Sequence, residues 1–257
     1  MENLPFISCK CITYGRLHFL EEAVESFLKQ DYAGQKELII VNDYPLQKLS
    51  YEHPEIKIIN LEETFLTIGE KENFALEQCS GELIAVWDDD DIALPNHLSN
   101  IAKYFTEDGE LLLWGNGALV HGNNIHELTG LGNSGIVYTK KIWKELGGHP
   151  LENAGYDTTF VNQIIYRQGA KPMIVAYPPN EEVSWFYMWG GRGYHMSGQG
   201  TDTPDKPNVI QRHSEHVELE RQAGRILTGD VQLNPNWKYD YKQMLKDYVS
   251  RLHNSNI

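Results

Sequence analysis

The sequence has few cysteines, no long apolar run and a shortage of basic residues. Cys9, Cys11 and Cys79 are the only cysteines, so a disulfide framework is excluded and small core thiols in a reducing compartment are expected. No stretch approaches the roughly 18 apolar residues of a transmembrane helix. Residues 1–5 lack the basic start of a signal peptide. We therefore expect a cytoplasmic protein; peripheral membrane docking through the C-terminal helices stays open, although no strongly basic face supports it.

Acidic residues outnumber basic ones by 36 to 22, and the formal net charge is −14. Broad nucleic-acid binding depends on a basic surface, so nucleic acid is disfavoured as a partner. The 257 residues, of which 41% are apolar, are enough for one large domain with a sizeable core or for two small ones. This charge balance suits a protein that recruits a divalent metal.

One stretch organises the chain: the apolar residues 83–87 run directly into four carboxylates, Asp88–Asp91, called here the acidic cluster. A short apolar run is typical of a strand buried on both faces. Adjacent carboxylates repel one another and lose hydration when buried, so a hard divalent cation with oxygen ligands is expected. The alternative is a solvated acidic loop. The apolar residues 92–95 that follow argue against it.

Hydrophobic periodicity predicts alternating strands and helices. In the first third these are strands at 6–13, 38–41, 56–61 and 83–87, and helices at 17–28 and 67–78. Further strands are predicted at 111–114, 118–121, 136–138 and 173–177, and further helices at 94–104, 140–146, 160–167, 209–227 and 239–253. The order is typical of a mostly parallel, doubly wound sheet. Asp43 and the acidic cluster each follow a strand, so both are expected at the ligand-binding edge of that sheet.

Two later segments leave alternatives open. Residues 153–159 predict a loop that leads into a helix, with Asp157 or Thr158 as a candidate N-cap. Residues 184–200 combine five aromatic side chains with five glycines. Aromatic faces and mobile glycines suit a lid or a wall on which a sugar stacks. An ordinary hairpin packed by aromatic side chains is the other interpretation.

Several motifs, in order, resemble family 2 glycosyltransferases of the GT-A fold. They are the strand and turn at 11–16, Asn42-Asp43, the segment 69–75 with Gly81 after it, and residues 87–95, which resemble the DxD motif in a longer form. Gly15 stands where the family usually has Asn.

The resemblance covers about the first two hundred residues. It implies an α/β, Rossmann-like, mostly parallel sheet flanked by helices, with a C-terminal helical extension. The GT-A domain would span 1–210, with a nucleotide-binding half at about 1–110 and an acceptor-binding half at 111–210. Residues 211–257 would form helices that pack on the same domain.

The resemblance also implies roles on the donor side. The residues implied in nucleotide binding are Thr13, Tyr14, Arg16, Asp43, Lys71, Asp88 and Asp89. Asp43 can accept the N–H of uracil, which favours a UDP-sugar over a GDP-sugar. Lys71 meets phosphate or braces the acids; a plain surface lysine is the alternative.

Metal ligation is implied for three residues. Asp90 is the main candidate ligand for Mn²⁺ or Mg²⁺, with Asp88 beside it and His195 as a further ligand; a structural role for His195 is the alternative. Of Asp89 and Asp91, one is a candidate for bracing the turn instead.

Asp157 matches the catalytic position, where inverting members of the family deprotonate the acceptor hydroxyl. Tyr156, a candidate contact to the donor or the acceptor, stands where the family commonly has Glu, which leaves the acceptor side in doubt. Arg192 is a candidate contact to the diphosphate, and Trp189 a candidate for stacking on a sugar.

The leading hypothesis is therefore a metal-dependent, inverting transfer of sugar from a nucleotide-sugar donor to an acceptor hydroxyl. A glycan, a lipid-linked sugar and other hydroxyl acceptors all stay open. The alternative is a non-catalytic protein that binds a nucleotide sugar or a metal on the same fold. Nucleotidyl transfer is disfavoured, because no glycine-rich phosphate loop with a lysine follows the first strand.

Overall fold

A computed structural model of the protein describes residues 4–105, 108–115, 117–122, 124–129, 135–175, 182–189 and 209–255. Its strands are β1 Ile7–Thr13, β2 Lys36–Asn42, β3 Gln47–Ser50, β4 Ile56–Asn60, β5 Leu83–Val86, β6 Ile92–Ala93, β7 Leu111–Trp114, β8 Gly117–His121, β9 Asn124–Thr129, β10 Ile136–Thr139, β11 Pro172–Val175, β12 Trp185–Trp189 and β13 Gly229–Gln232. Its helices are α1 Leu17–Leu28, α2 Ile68–Gln78, α3 His97–Tyr104, α4 Lys140–Glu145, α5 Tyr156–Tyr166, α6 Val209–Gln222 and α7 Tyr241–Ser255.

Seven strands form the main sheet, in the order β11-β7-β10-β5-β1-β2-β4. β1 lies between β2 and β5 and is parallel to both, while β10 is antiparallel to its two neighbours. Helices α1 and α3 bury apolar side chains against one face of this sheet, and α2, α4 and α5 against the other. The predicted mostly parallel α/β sheet flanked by helices is confirmed.

The order of the strands brings the candidate site together. Because β1, β2 and β5 run in the same direction, their carboxyl ends meet at one edge of the sheet. Thr13 ends β1, Asn42 ends β2 with Asp43 directly after it, and the acidic cluster begins two residues after Val86, where β5 ends.

A second sheet contains the start of the aromatic segment. Its order is β6-β12-β8-β9, and β12 is parallel to β8 and antiparallel to β6. Residues 185–189 thus form an inner strand, and Trp185 and Phe186 are fully buried. The remainder of the segment, 190–200, lies outside the described residues.

The helix that carries Asp157 begins earlier than the sequence predicted. Its first residue is Tyr156, and its N-cap is Gly155 with a φ of 75° and no side-chain capping bond. Asp157 therefore lies in the first turn, and the prediction that Asp157 or Thr158 caps the helix is wrong. A left-handed cap is a conformation that glycine adopts at little steric cost, whereas a capping carboxylate needs an extended backbone.

The last helix is anchored to the rest of the fold by a buried tyrosine. Tyr241 is fully buried, its ring packs edge-on against Phe186, and its hydroxyl donates to Glu22 Oε1 at 2.5 Å. Among the described residues, no helix combines the length and the apolar character that crossing a membrane requires.

Gly69, near the start of α2, is pressed against the chain ahead of α5. Its N–H donates to the Glu152 carbonyl at 3.0 Å, and a Cβ added to it would lie 1.8 Å from the Pro150 oxygen. Alanine ordinarily stabilises a helix relative to glycine by about 1 kcal/mol. We predict the opposite sign here: Gly69→Ala should lower the free energy of unfolding by about 1–3 kcal/mol, because backbone must move.

Urea unfolding of Gly69→Ala measures this effect. The matched control is Glu77→Ala on the exposed face of the same helix, which should change stability by less than about 0.5 kcal/mol. A stabilised Gly69→Ala variant would show that α2 and the 150–152 segment are not in contact.

The buried His149 should make stability depend on pH. Its ring packs against Phe160 with centroids 4.1 Å apart, and burial lowers its pKa from 6.5 to about 4. Below pH 6.5 the unfolded chain binds a proton that the folded chain rejects until about pH 4. This site should therefore cost up to about 1.4 kcal/mol of stability per pH unit on acidification through that window.

Urea midpoints of the protein and of His149→Gln, compared from pH 7.5 to about 5, test the assignment. The variant should show the shallower pH dependence. Equal slopes would place the titrating group elsewhere.

Candidate active site

A cavity of about 60 Å³ opens at the carboxyl edge of the main sheet. It is built by the end of β1, the segments after β2 and β4, the start of α2 and the first half of α6. The residues that line it are Ile12, Thr13, Tyr14, Arg16, Asp43, Thr64, Phe65, Thr67, Ile68, Lys71, His213 and Ser214. Five of the seven residues that the resemblance assigned to nucleotide binding thus line one cavity, the exceptions being Asp88 and Asp89.

Asp43 and Lys71 form a buried ion pair in this cavity. They are 2% and 6% exposed, and Lys71 Nζ donates to Asp43 Oδ1. The same ammonium donates to the Thr13 carbonyl at 2.7 Å, and the Phe65 N–H donates to Asp43 Oδ2 at 3.1 Å. Lys71 is thus not a surface lysine. Its charge is balanced inside the protein, where an unpaired charge would be costly.

Arg16 holds the middle of the acidic cluster. Its guanidinium binds Asp89 through two nitrogens, with Nε 3.1 Å from Oδ2, and Nη1 donates to Asp90 Oδ2 at 2.7 Å. Burial lowers the pKa of Arg16, but Asp89 and Asp90 outweigh this effect and raise it. Burial raises the pKa of Asp89, and the positive charge of Arg16 opposes that rise. The guanidinium of Arg16 therefore supplies a fixed positive charge beside the acidic cluster.

Asp91 braces the turn. Its carboxylate is buried, and Oδ1 accepts the Met188 N–H at 3.0 Å, which joins the acidic cluster to β12. Asp88 and Asp90, by contrast, are partly exposed. These two carboxylates are hard oxygen donors of the kind that Mg²⁺ and Mn²⁺ take.

The donor set fits a metal only in part. Among the described residues, no three His, Cys, Asp or Glu side chains converge on one point where a metal could sit. Arg192 and His195 lie outside the described residues, as does the side chain of Trp189. Mg²⁺ in nucleotide sites is commonly held by one or two carboxylates and by phosphate oxygens of the substrate. Asp88 and Asp90 are two partly exposed carboxylates of that kind.

Asp157 is partly exposed in the first turn of α5. The neighbouring Tyr156 hydroxyl donates to Glu72 Oε1 at 3.1 Å. Burial raises the pKa of Tyr156, and the negative charges of Glu72, Asp157 and Asp88 raise it further.

Sequence reasoning missed three residues near the site. Glu72 and Lys10 form a buried ion pair, and His213 from α6 lines the cavity of the Asp43–Lys71 pair. Lys10 lies within an apolar strand, and this was a signal for the ion pair, since a buried ammonium needs a partner. His213 gave no signal, because only the tertiary fold brings α6 to the end of β1.

Two solved structures with a similar fold contain nucleotide sugars, and both have low sequence identity to this chain. S. aureus TarS 1-349 in complex with UDP-GlcNAc superposes with a TM-score of 0.57 at 18% identity, covering 96% of this chain and 72% of that one. The mannosyltransferase PcManGT from Pyrobaculum calidifontis, in complex with GDP-Man and Mn²⁺, gives a TM-score of 0.55 at 16% identity and covers 96% and 70%. The fold is therefore of the GT-A type that the resemblance implied.

Two curated relatives match part of the chain. An uncharacterized glycosyltransferase of Bacillus subtilis, YwdF, is 36% identical over 102 residues, and one of Haemophilus influenzae is 29% identical over 122 residues. The matches cover 38% and 45% of this chain but only 37% of each relative. The profile of glycosyl transferase family 2 matches residues 10–168, which include the last four residues of β1, the acidic cluster and Asp157. The chain belongs to glycosyl transferase family 2.

Proposed function

We propose that the protein is a metal-dependent, inverting glycosyltransferase that moves a sugar from a UDP-sugar to an acceptor hydroxyl. The observation that carries the proposal is the common sheet edge on which the Asp43–Lys71 cavity and the acidic cluster lie. Family membership and the nucleotide-sugar complexes of the structural neighbours support the reaction class. A cytoplasmic location and a glycan, lipid-linked or other hydroxyl acceptor complete the proposal.

The hydrogen-bonding pattern of the cavity favours uracil over guanine. Uracil presents a single N–H between two carbonyl oxygens, whereas guanine presents two adjacent N–H donors beside one carbonyl. Asp43 offers an acceptor with the Lys71 ammonium directly beside it. Asp43 also already accepts the Phe65 N–H on its other oxygen. Guanine would need both carboxylate oxygens for its two N–H donors, whereas the single N–H of uracil needs only one, so we propose UDP as the leaving group.

Fixed positive charge would stabilise the departing diphosphate. Arg16 stands at the cavity and is bound to Asp89 and Asp90, so its orientation is set before the donor arrives. Asp88 and Asp90 would hold the divalent metal, which when bound neutralises the charge that develops on the diphosphate. Asp89 orients Arg16, and Asp91 holds the turn against β12.

Asp157 would act as the general base. It is partly exposed and therefore accessible to an acceptor hydroxyl, and the helix turn that carries it starts from the fixed Gly155 cap. In one displacement, Asp157 would take the proton of the hydroxyl as the oxygen bonds to the anomeric carbon and the bond to the nucleotide breaks. A single displacement inverts the configuration at that carbon.

Donor binding should need both metal and Asp90. We expect calorimetry to show UDP binding in the presence of Mn²⁺, much weaker UDP binding without it, and weaker GDP binding under either condition. Asp90→Ala should reduce UDP affinity in Mn²⁺ by at least about tenfold, because a phosphate-bound metal loses a protein carboxylate.

The matched control is Asp108→Asn, which changes an exposed carboxylate in the segment after α3 and should leave UDP binding as in the wild type. Failure of both nucleotides to bind with Mn²⁺ would refute the donor assignment. Tighter GDP than UDP binding would reverse the base preference.

Removal of the base should separate chemistry from binding. Asp157→Asn should slow UDP release from a productive UDP-sugar by about 10²–10⁴-fold, with the dissociation constant of UDP unchanged. Release of UDP from a panel of UDP-sugars, with sugar acceptors and with water alone, measures the rate. UDP binding by the wild type without turnover of any donor would favour the non-catalytic alternative.

A further inference from the structure

Three consecutive residues of α2 contact three different parts of the molecule. Lys71 lines the cavity that is proposed to hold the donor, called here the donor cavity, and pairs with Asp43. Glu72 accepts the Tyr156 hydroxyl at the start of α5. Asn73 donates to the His149 carbonyl at 2.9 Å and accepts the His149 N–H at 2.7 Å. One helical turn thus joins the donor cavity to the chain that carries Asp157.

Glu72 is held from the opposite side by β1. Its side chain is 0% exposed, that of Lys10 is 3% exposed, and the Lys10 ammonium binds Glu72 Oε2. The second oxygen, Oε1, accepts the Tyr156 hydroxyl. A buried carboxylate is tolerated when its charge is paired and its remaining lone pairs are hydrogen-bonded. Both conditions are met here, so the position of Glu72 is fixed within the core.

The chain that leads to Tyr156 is fastened to the same helix. Asn153 Oδ1 accepts the Ile68 N–H at 3.1 Å, and the Glu152 carbonyl accepts the Gly69 N–H at 3.0 Å. Tyr156 is the first residue of α5 and Asp157 the second. Anchoring the phenol of Tyr156 therefore fixes the backbone from which the Asp157 side chain projects.

We propose that Glu72 and Tyr156 are positioning residues for Asp157. Glu72, charge-balanced by Lys10, holds the Tyr156 hydroxyl, and this anchor sets the direction of the first turn of α5. The inference rests on the proposed function, because it takes Asp157 as the base. It adds that the base is aligned by the same helix that supplies Lys71 to the donor cavity. Helix α2 therefore fixes the position of the base relative to the donor.

The test is the kinetics of Tyr156→Phe, which removes one hydroxyl and retains the ring. Displacement of a catalytic group by about 1 Å can cost about 100-fold in rate. We expect kcat for UDP release to fall by about 10- to 100-fold, with the KM of the donor and the dissociation constant of UDP unchanged. A purely structural role would lower the unfolding midpoint without this separation of kcat from KM.

Tyr138→Phe is the matched control. Tyr138 is a fully buried tyrosine of the same region, and its hydroxyl lies 3.1 Å from His149 Nε2 rather than against Glu72. Its loss should lower stability by a similar amount and leave kcat unchanged. An equal loss of kcat in both variants would refute a specific anchor at Tyr156.

A double-mutant cycle compares the wild type, Tyr156→Phe, Glu72→Gln and the variant that carries both changes. The two changes should be non-additive in kcat, because both break the same hydrogen bond. Glu72→Gln also serves alone if Tyr156→Phe does not fold: it should lower kcat and leave UDP binding intact. Independent effects in the cycle would contradict the anchor.

Asp157→Asn separates the two proposals. If it abolishes turnover while Tyr156→Phe and Glu72→Gln retain full kcat, the positioning role is refuted and the proposed function stands. If Asp157→Asn retains full turnover, both proposals fail.

Discussion

The buried ion pair between Lys71 and Asp43 is the interaction on which the candidate site depends. It joins α2 to the end of β2, and the bond from Lys71 to the Thr13 carbonyl extends the connection to β1. Removing two charges from water is costly, and the cost is offset only where their geometry is kept. The pair therefore restricts how far α2 and the two strand ends can move apart. The base of the proposed donor would therefore meet an acceptor and a donor that are already oriented, so little ordering would be required on binding.

A second buried pair, Lys10–Glu72, lies one residue further along α2 and connects that helix to β1. The site is thus held by fixed cations inside a protein whose net charge is −14. Arg16 and Lys71 both line the donor cavity, where their charge acts over short distances that salt screens poorly. Charge pairing explains how Lys71 can be buried at the strand ends, since Asp43 balances it. It also explains why the acidic cluster can exist at a strand end, since Arg16 balances Asp89 and Asp90.

The sheet was predictable because β1, β2 and β5 are short apolar runs followed by polar residues, and parallel strands place those residues on one edge. What the sequence could not supply were contacts made between distant segments. The early start of α5 depends on the left-handed Gly155, and the place of β12 depends on pairing with β6 and β8. The position of Lys10 within an apolar strand predicts a buried acidic partner, but it does not indicate which acidic residue this is. The contribution of α6 to the donor cavity had no local signature.

The most direct test of the central claim is a crystal structure of the protein with UDP and Mn²⁺. The account predicts uracil in the cavity beside Tyr14, its N–H on the Asp43 carboxylate, with the Lys71–Asp43 pair intact and the metal at Asp90. Uracil bound elsewhere, or bound only after Lys71 has left Asp43, would contradict the claim that this ion pair preorganises the donor site.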